Sequence, residues 1–337
     1  MYLCNSSINA TNLRGHAWAV EGHGAIIHSK ATGKPAFDMF YTRFGRISGL
    51  TIQGDKTNTP IVGIAMGRAY IPNTTTMVSS DCHYLDNVNC QGYFTKAGLY
   101  NYASESSTFT HLKIYNKYDS PDSYCLIQDG TYKHAIPSDF MTMLASEVPA
   151  SFNENAFMNL DVRKTNQGSA IYMRRCARHH FYSSYAVTYG EPCVVMDSDG
   201  FGSKGCHFDI HIETAVDSST TTGVETGFEF RGAADQTHKN FTHIDHSSHV
   251  SKQVFAFDTS GTNGSAITSC KFRNSVVSIA DFHYSDDGSD GNGHTPLNGI
   301  FNPKGVVDYQ GKMYIGDDSV LHTNLGDGIY DLEVEDK

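Results

Sequence analysis

FMNLDV at residues 157–162 and, shortly after it, AIYM at 170–173 decide how this chain folds. In FMNLDV, Leu160 and Val162 alternate with polar neighbours, the two-residue period of a half-buried β-strand. Neither run is long enough to bury its apolar side alone. Outward in both directions the first pattern returns as ISGLTI (47–52), CHYLDN (82–87), FTHLKI (109–114), RHHFYS (178–183), GCHFDI (205–210), FTHIDH (241–246) and ITSCKF (267–272). Its fourth position reads Leu50, Leu85, Leu112, Leu160, Phe181, Phe208, Ile244 and Cys270, at spacings of 21 to 48 residues. The second returns as GIAM (63–66), GLYN (98–101), CLIQ (125–128), CVVM (193–196), GFEF (227–230), VFAF (254–257) and, more weakly, DFHY (281–284). Eight copies of a two-strand unit bury their apolar sides by stacking, each strand pairing with its counterpart about 4.8 Å above. The pattern predicts an all-β parallel β-helix, a solenoid with loops of uneven length. An antiparallel sandwich would need tight Asn-Gly or Asp-Gly hairpins, and these are few.

Composition agrees with many short strands. The 337 residues include 31 Gly against 9 Pro, with Ser, Thr, Asn and Asp spread throughout. The expected organisation is N-terminal capping coils over 1–46, a β-helix body over 47–284, and a C-terminal coil, cap or start of a trimer stem over 285–337. A net charge of −11 argues against a nucleic-acid partner, because phosphate binding needs a positive footprint. No 18-residue apolar run suggests a membrane span, and MYLCNSSINATNLRG shows no signal-peptide pattern. The eight cysteines have no CxxC spacing and read as buried free thiols.

WAVEGHGAIIHSK (18–30), KPAFDMFYTRFGRISGLTIQGD (34–55) and TPIVGIAMGRA (59–69) resemble the opening coils of pectate-lyase-like β-helices in phage tailspikes, chiefly on Gly22 to Ile27 and Ile47 to Gly54. The resemblance implies the right-handed form of the fold and a polysaccharide depolymerase acting on bacterial capsule or exopolysaccharide. It also implies a homotrimer and a place on the virion or outside the cell; no nucleotide loop or cofactor motif appears, so no cofactor is expected. Gly22-His23-Gly24 is similar to a catalytic element of polygalacturonases but precedes the repeats, and is assigned to a turn.

Stacking turns aligned positions into columns. Flanking the first pattern's inward residue are His111/Lys113, Asn159/Asp161, His180/Tyr182, His207/Asp209 and His243/Asp245, read either as a solvated surface or as a sugar-binding face with Asp209 and Asp245 about 4.8 Å apart. Closing the second strand are Asp129, Arg174, Asp197, Arg231 and Asp258, an alternation that suits a stabilising ion ladder. Its carboxylates two coils apart would also stand about 9.6 Å from each other. That is close to the roughly 6.5–9.5 Å of an inverting glycosidase. Before the second strand lie Asp122, Glu191 and Glu225, and Asp199 follows Asp197. The cluster Arg174, Arg175, Arg178, His179 and His180 suggests a basic patch for an acidic ligand. Excursions at 129–156 and 211–226 bracket coils four to six, where a groove is expected.

The catalytic candidates are therefore Asp197, Asp199, Glu191, Glu225 and Asp209. The substrate-binding candidates are Arg174, Arg231, His180, Tyr182, His207 and Asp129. Hydrolysis by paired carboxylates is the leading expectation. The alternatives are β-elimination from a uronic acid, with Arg174 or Arg231 neutralising the carboxylate, and a non-catalytic saccharide-binding adhesin. Asp197-Ser-Asp199-Gly and Asp286-Asp-Gly-Ser-Asp290 do not complete a calcium loop, so no metal is expected.

Overall fold

The computed structural model describes residues 1–10, 13, 16–70, 77–78, 80–130, 154–189, 191–197 and 206–215, then the strands from Thr226–Arg231 to Tyr330–Val334, with side chains only at 227–229 in that last part. The chain is all-β. A 17-stranded and a 9-stranded sheet dominate, and the chain passes repeatedly from one to the other, often through two or three strands of the larger sheet in succession. The pairings of both are parallel, each strand to its counterpart in the next repeat, which excludes the antiparallel sandwich. Two small antiparallel sheets accompany them, one of two strands and one of three, the latter built from Lys312–Ile315, Val320–Asn324 and Tyr330–Val334. Parallel pairing already includes Tyr2–Cys4 with Trp18–Ser29 and Pro35–Phe40 with Val62–Gly67.

The second sequence pattern is in register throughout its described copies. Ile64, Leu99, Leu126, Ile171, Val194, Phe228 and Phe255 form one column of the 9-stranded sheet. The weak eighth copy at 281–284 lies outside the described residues.

The first pattern is not one column but two. Leu85, Phe181 and Phe208 stack with Ile47, Phe109 and Phe157, whereas Leu50, Leu112 and Leu160 belong to a column three residues further on. A corner explains the offset. Gly49, Asn87, His111, Asn159 and Ser183 each have φ between 48° and 62° and stack along the molecule, bending the 17-stranded sheet. One left-handed residue separates two inward side chains by three positions instead of two, so a six-residue window matches on either side of it. His23 (φ 46°) and Gly24 (φ 82°) sit where the pairing of Trp18–Ser29 shifts register, which makes Gly22-His23-Gly24 part of a bend. At the corner the N–H of Asn87 donates to the Thr110 carbonyl, that of His111 to Met158, and that of Asn159 to Tyr182, at 2.9–3.0 Å.

Between the sheets runs a continuous apolar core. Its axis is the ring stack Phe109–Phe157–Phe181–Phe208, with centroids 4.5, 4.6 and 4.8 Å apart and planes within 7°. That spacing is the strand spacing itself, since in-register rings inherit the distance between strands. Phe228 of the 9-stranded sheet meets Phe208 edge-on at 5.4 Å, closing the core from the other side. Burial pushes the thiols of Cys90, Cys125 and Cys206 up to about 12, so they pack as small apolar groups.

His83 is a buried polar exception with a testable consequence. The Gly45 N–H donates to its Nδ1 (3.1 Å), leaving Nε2–H to donate to Ser80 Oγ (3.0 Å). Burial lowers its pKa to about 4. An unfolded histidine protonates near its ordinary 6.5, so the folded state loses stability as pH falls from 6.5 through 4. The shift corresponds to about 3 kcal/mol. Urea unfolding between pH 7 and 4 should show a loss of that order in the wild type that is missing from His83→Gln.

Candidate functional site

The strand His180–Tyr189 opposes His207–Ala215 with Phe181 facing Phe208 and Ser184 facing Ile210, so Tyr182 and Ser183 together face Asp209 alone. This β-bulge occurs where the preceding repeats turn their corner. In the Asp209 repeat the inward pair Phe208 and Ile210 is only two residues apart, and the corner residue is missing. The Ser183 N–H, which would otherwise seek a backbone carbonyl, donates to Asp209 Oδ2 at 3.0 Å. Bulges of this kind re-aim side chains and recur beside active sites.

The side chains beside this bulge are rings. Tyr182 is 41% exposed. Its ring stacks on His180 (5.8 Å, 2°) and approaches His207 (5.6 Å), and the two imidazoles lie 6.2 Å apart. Burial first, then the neighbouring His180, hold the His207 imidazole below its usual pKa, with Asp209 opposing. His180, Tyr182, His207 and Asp209 are thus brought together on the outer side of the large sheet. Asp245 does not join them, because Asp209 faces Ile244. Lys113 and Asp161 belong to the other side of the corner, and His111 and Asn159 occupy the corner itself.

Beyond the corner lies a group that the six-residue pattern stopped short of. Lys113, Asp161, Tyr185 and His211 form one outer column, and Tyr115, Arg163, Val187 and Glu213 the next. Asp161 receives the Tyr115 O–H (2.9 Å) and two Arg163 hydrogen bonds, Nε to Oδ1 at 2.9 Å and Nη2 to Oδ2 at 3.2 Å. The guanidinium lies over the rings of Tyr115 (5.3 Å) and Tyr185 (5.1 Å). Tyr185 stacks on His211 (5.2 Å, 8°) and donates its O–H to Glu213 Oε2 at 2.5 Å, while His211 Nε2 meets Glu213 Oε1 at 3.1 Å. Extending the alignment by three residues, through KIY, DVR, YAV and HIE, would have exposed this band by its polar–apolar alternation.

The Asp/Arg column is in register as its spacing implied: Asp129 faces Arg174, Arg174 faces Asp197, Asp197 faces Arg231, and Arg231 faces Asp258. It is not the open ladder that strand alternation suggested. Asp129 is fully buried, Arg174 7% exposed and Asp197 4% exposed, on a sheet face that also buries Phe40, Tyr100, Tyr102 and Tyr172. Alternation tells which face a side chain takes, not whether that face is covered. The Tyr172 O–H donates to Asp197 Oδ2 at 2.5 Å, and burial, then the Asp197 charge, push the phenol's pKa well up.

The basic patch also dissolves on inspection of neighbours. His179 and Arg174 are buried, and Arg178 pairs with Glu154 at 3.0 Å. Glu191 is half-buried after Tyr189, with its backbone carbonyl accepting the Thr188 hydroxyl (2.7 Å). Asp199 and Glu225 lie outside the described residues, and of Arg231 only the backbone is described. The excursion placed at 211–226 starts later, since His207–Ala215 is one strand.

No family model and no curated protein matches the chain. Among solved structures it is similar to the catalytic domain of a GH87 alpha-1,3-glucanase in complex with tetrasaccharides, at 10% identity and a TM-score of 0.44, over 86% of this chain and 63% of that one. The catalytic unit of a thermostable GH87 alpha-1,3-glucanase from Streptomyces thermodiastaticus gives 12% identity and 0.42, over 86% and 62%. Tailspike protein gp49 from Acinetobacter baumannii bacteriophage Fri1, a capsular polysaccharide depolymerase, gives 10% and 0.30, over 86% and 63%. The chain spans less than two-thirds of the length of each of these.

Proposed function

We propose that this chain is a right-handed parallel β-helix that degrades a bacterial capsular or exopolysaccharide by hydrolysis, binding it along the outer side of the 17-stranded sheet. One observation carries the reading: the outward rings of His180, Tyr182 and His207 form one cluster, and the bulge beside them sets Asp209 opposite Tyr182 and Ser183. A pyranose presents C–H bonds on its face and hydroxyls at its rim. Rings receive the first, and carboxylates and imidazoles the second. Asp209 is the carboxylate assigned to the reaction, with its partner drawn from Glu191, Asp199 and Glu225; Asp129, Arg174 and Asp197 hold the second sheet together. In this reading residues 1–46 are the first coils, 47–284 the body and 285–337 the C-terminal cap or stem, in a homotrimer on a virion or outside a cell.

Incubation with a panel of capsular polysaccharides, with fragments weighed by mass spectrometry, tests this directly. Saturated fragments are expected, and Asp209→Asn should slow their release about a thousandfold while binding persists. The asparagine carbonyl can still accept the Ser183 N–H, so the loss reports chemistry rather than folding. Unsaturated, ultraviolet-absorbing fragments would mean elimination. Binding without fragments would mean an adhesin, and an undiminished Asp209→Asn rate would remove Asp209 from the site.

A further inference from the structure

Resting on the saccharide reading above, we infer that the band Tyr115–Arg163–Tyr185–His211, with Asp161 and Glu213, is a subsite that selects sugar residues without a carboxylate and disfavours uronates. Three features of the band lead there. First, it is a platform. The Tyr185 ring lies against the Arg163 guanidinium on one side and the His211 ring on the other, and Tyr115 covers the guanidinium again. Flat groups held in contact across successive repeats offer a continuous surface to a chain of sugar rings, at little cost in side-chain freedom.

Second, the cation is already neutralised. Both oxygens of Asp161 engage Arg163, whose side chain is nonetheless 45% exposed. Its Nε and Nη2 are committed to Asp161, which leaves Nη1 to donate to a hydroxyl. Such a guanidinium donates hydrogen bonds in a fixed direction without offering net charge to an anion. Third, the band carries two carboxylates, Asp161 and Glu213, against one guanidinium; the other cation of the column, Lys113, is exposed on the far side of Asp161 from Tyr185. A uronate docking here would bring a third carboxylate among partly desolvated acids, whereas hydroxyl or amide donors would find acceptors waiting. The inference turns the elimination alternative down on charge grounds, since elimination needs a uronate whose carboxylate is neutralised.

The test compares binding of a neutral glucan, an N-acetylated amino-sugar polymer and a polyuronate of similar length by affinity electrophoresis, at low and high salt. The wild type should retard either uncharged polymer at least tenfold more than the polyuronate, and salt should narrow the gap by screening repulsion. Tyr185→Ala should weaken the uncharged polymers about tenfold. Asp161→Asn, which frees Arg163, should raise polyuronate affinity several-fold and leave the uncharged polymers equal or weaker. A wild type that binds polyuronate as well as the others, or an Asp161→Asn variant with an unchanged ratio, overturns the charge preference alone. Failure to bind any polysaccharide overturns the saccharide reading, and this inference with it.

Discussion

Phe157→Ala is expected to lower the free energy of unfolding by about 4 kcal/mol. Phe157 is wholly buried, with Phe109 at 4.5 Å on one side and Phe181 at 4.6 Å on the other. Truncation removes the ring's apolar burial and leaves a void between two rings that the strand spacing holds apart. The neighbours cannot close in, because parallel hydrogen bonds above and below fix the distance at about 4.8 Å. Lost stacking adds roughly 0.5–1.5 kcal/mol within that total. In urea the midpoint should drop with an unchanged denaturant slope. The adjacent Met158, 36% exposed on the opposite side of the same strand, provides the contrast: Met158→Ala should shift stability by no more than about 0.5 kcal/mol. A Phe157→Ala loss below about 1 kcal/mol would contradict the role given to the ring stack.

The second large effect is expected at Arg174. Its side chain sits in register between two buried carboxylates, Asp129 and Asp197. Arg174→Met keeps much of the volume but leaves those acids facing one another across two strand spacings without the guanidinium between them. Breaking a buried pair in this way costs about 3–5 kcal/mol, unless a carboxylate takes up a proton. The stability gap between wild type and variant should therefore narrow as pH falls from 7 toward 5, on top of the loss from His83 protonation that both share. Thermal unfolding across that range reads both. If Arg174→Met kept full stability and lost polysaccharide cleavage instead, the column would belong to the chemistry and not to the scaffold.

The sequence made the second sheet easy to read and the first one harder. GLYN, CLIQ, AIYM and CVVM are uninterrupted strands, so aligning their second residues aligned the structure. ISGLTI, FTHLKI and FMNLDV straddle a corner, and CHYLDN, RHHFYS and GCHFDI match the same pattern from one side of it. The left-handed residue that causes this has no fixed identity, being Gly49 once and then Asn87, His111, Asn159 and Ser183, so no single letter marked it. Asp209 and the rings around it were visible as polar residues beside Phe208 and Phe181. The placement of Asp209 against Ser183 followed only from the bulge. The Tyr115–Arg163–Tyr185–His211 band escaped because the hexapeptides ended one or two residues short of its members. Burial of Asp129, Arg174 and Asp197 could not be read at all, since what covers a sheet face lies elsewhere in the chain.

The corner at Asp209 also bears on how such a chain can change length. Within a flat strand, one inserted or deleted residue turns every later side chain to the wrong side. A left-handed residue at a bend absorbs the odd residue, and between the strands His180–Tyr189 and His207–Ala215 the corner goes from two residues to one while Phe181 still meets Phe208 and Ala186 still meets Ile212. Single-residue insertions and deletions can therefore accumulate along this one edge with the core untouched. Each such event leaves one backbone N–H to be satisfied by a side chain, as Ser183 is by Asp209. The edge is a place where new polar surface can be acquired by a change in length rather than by substitution.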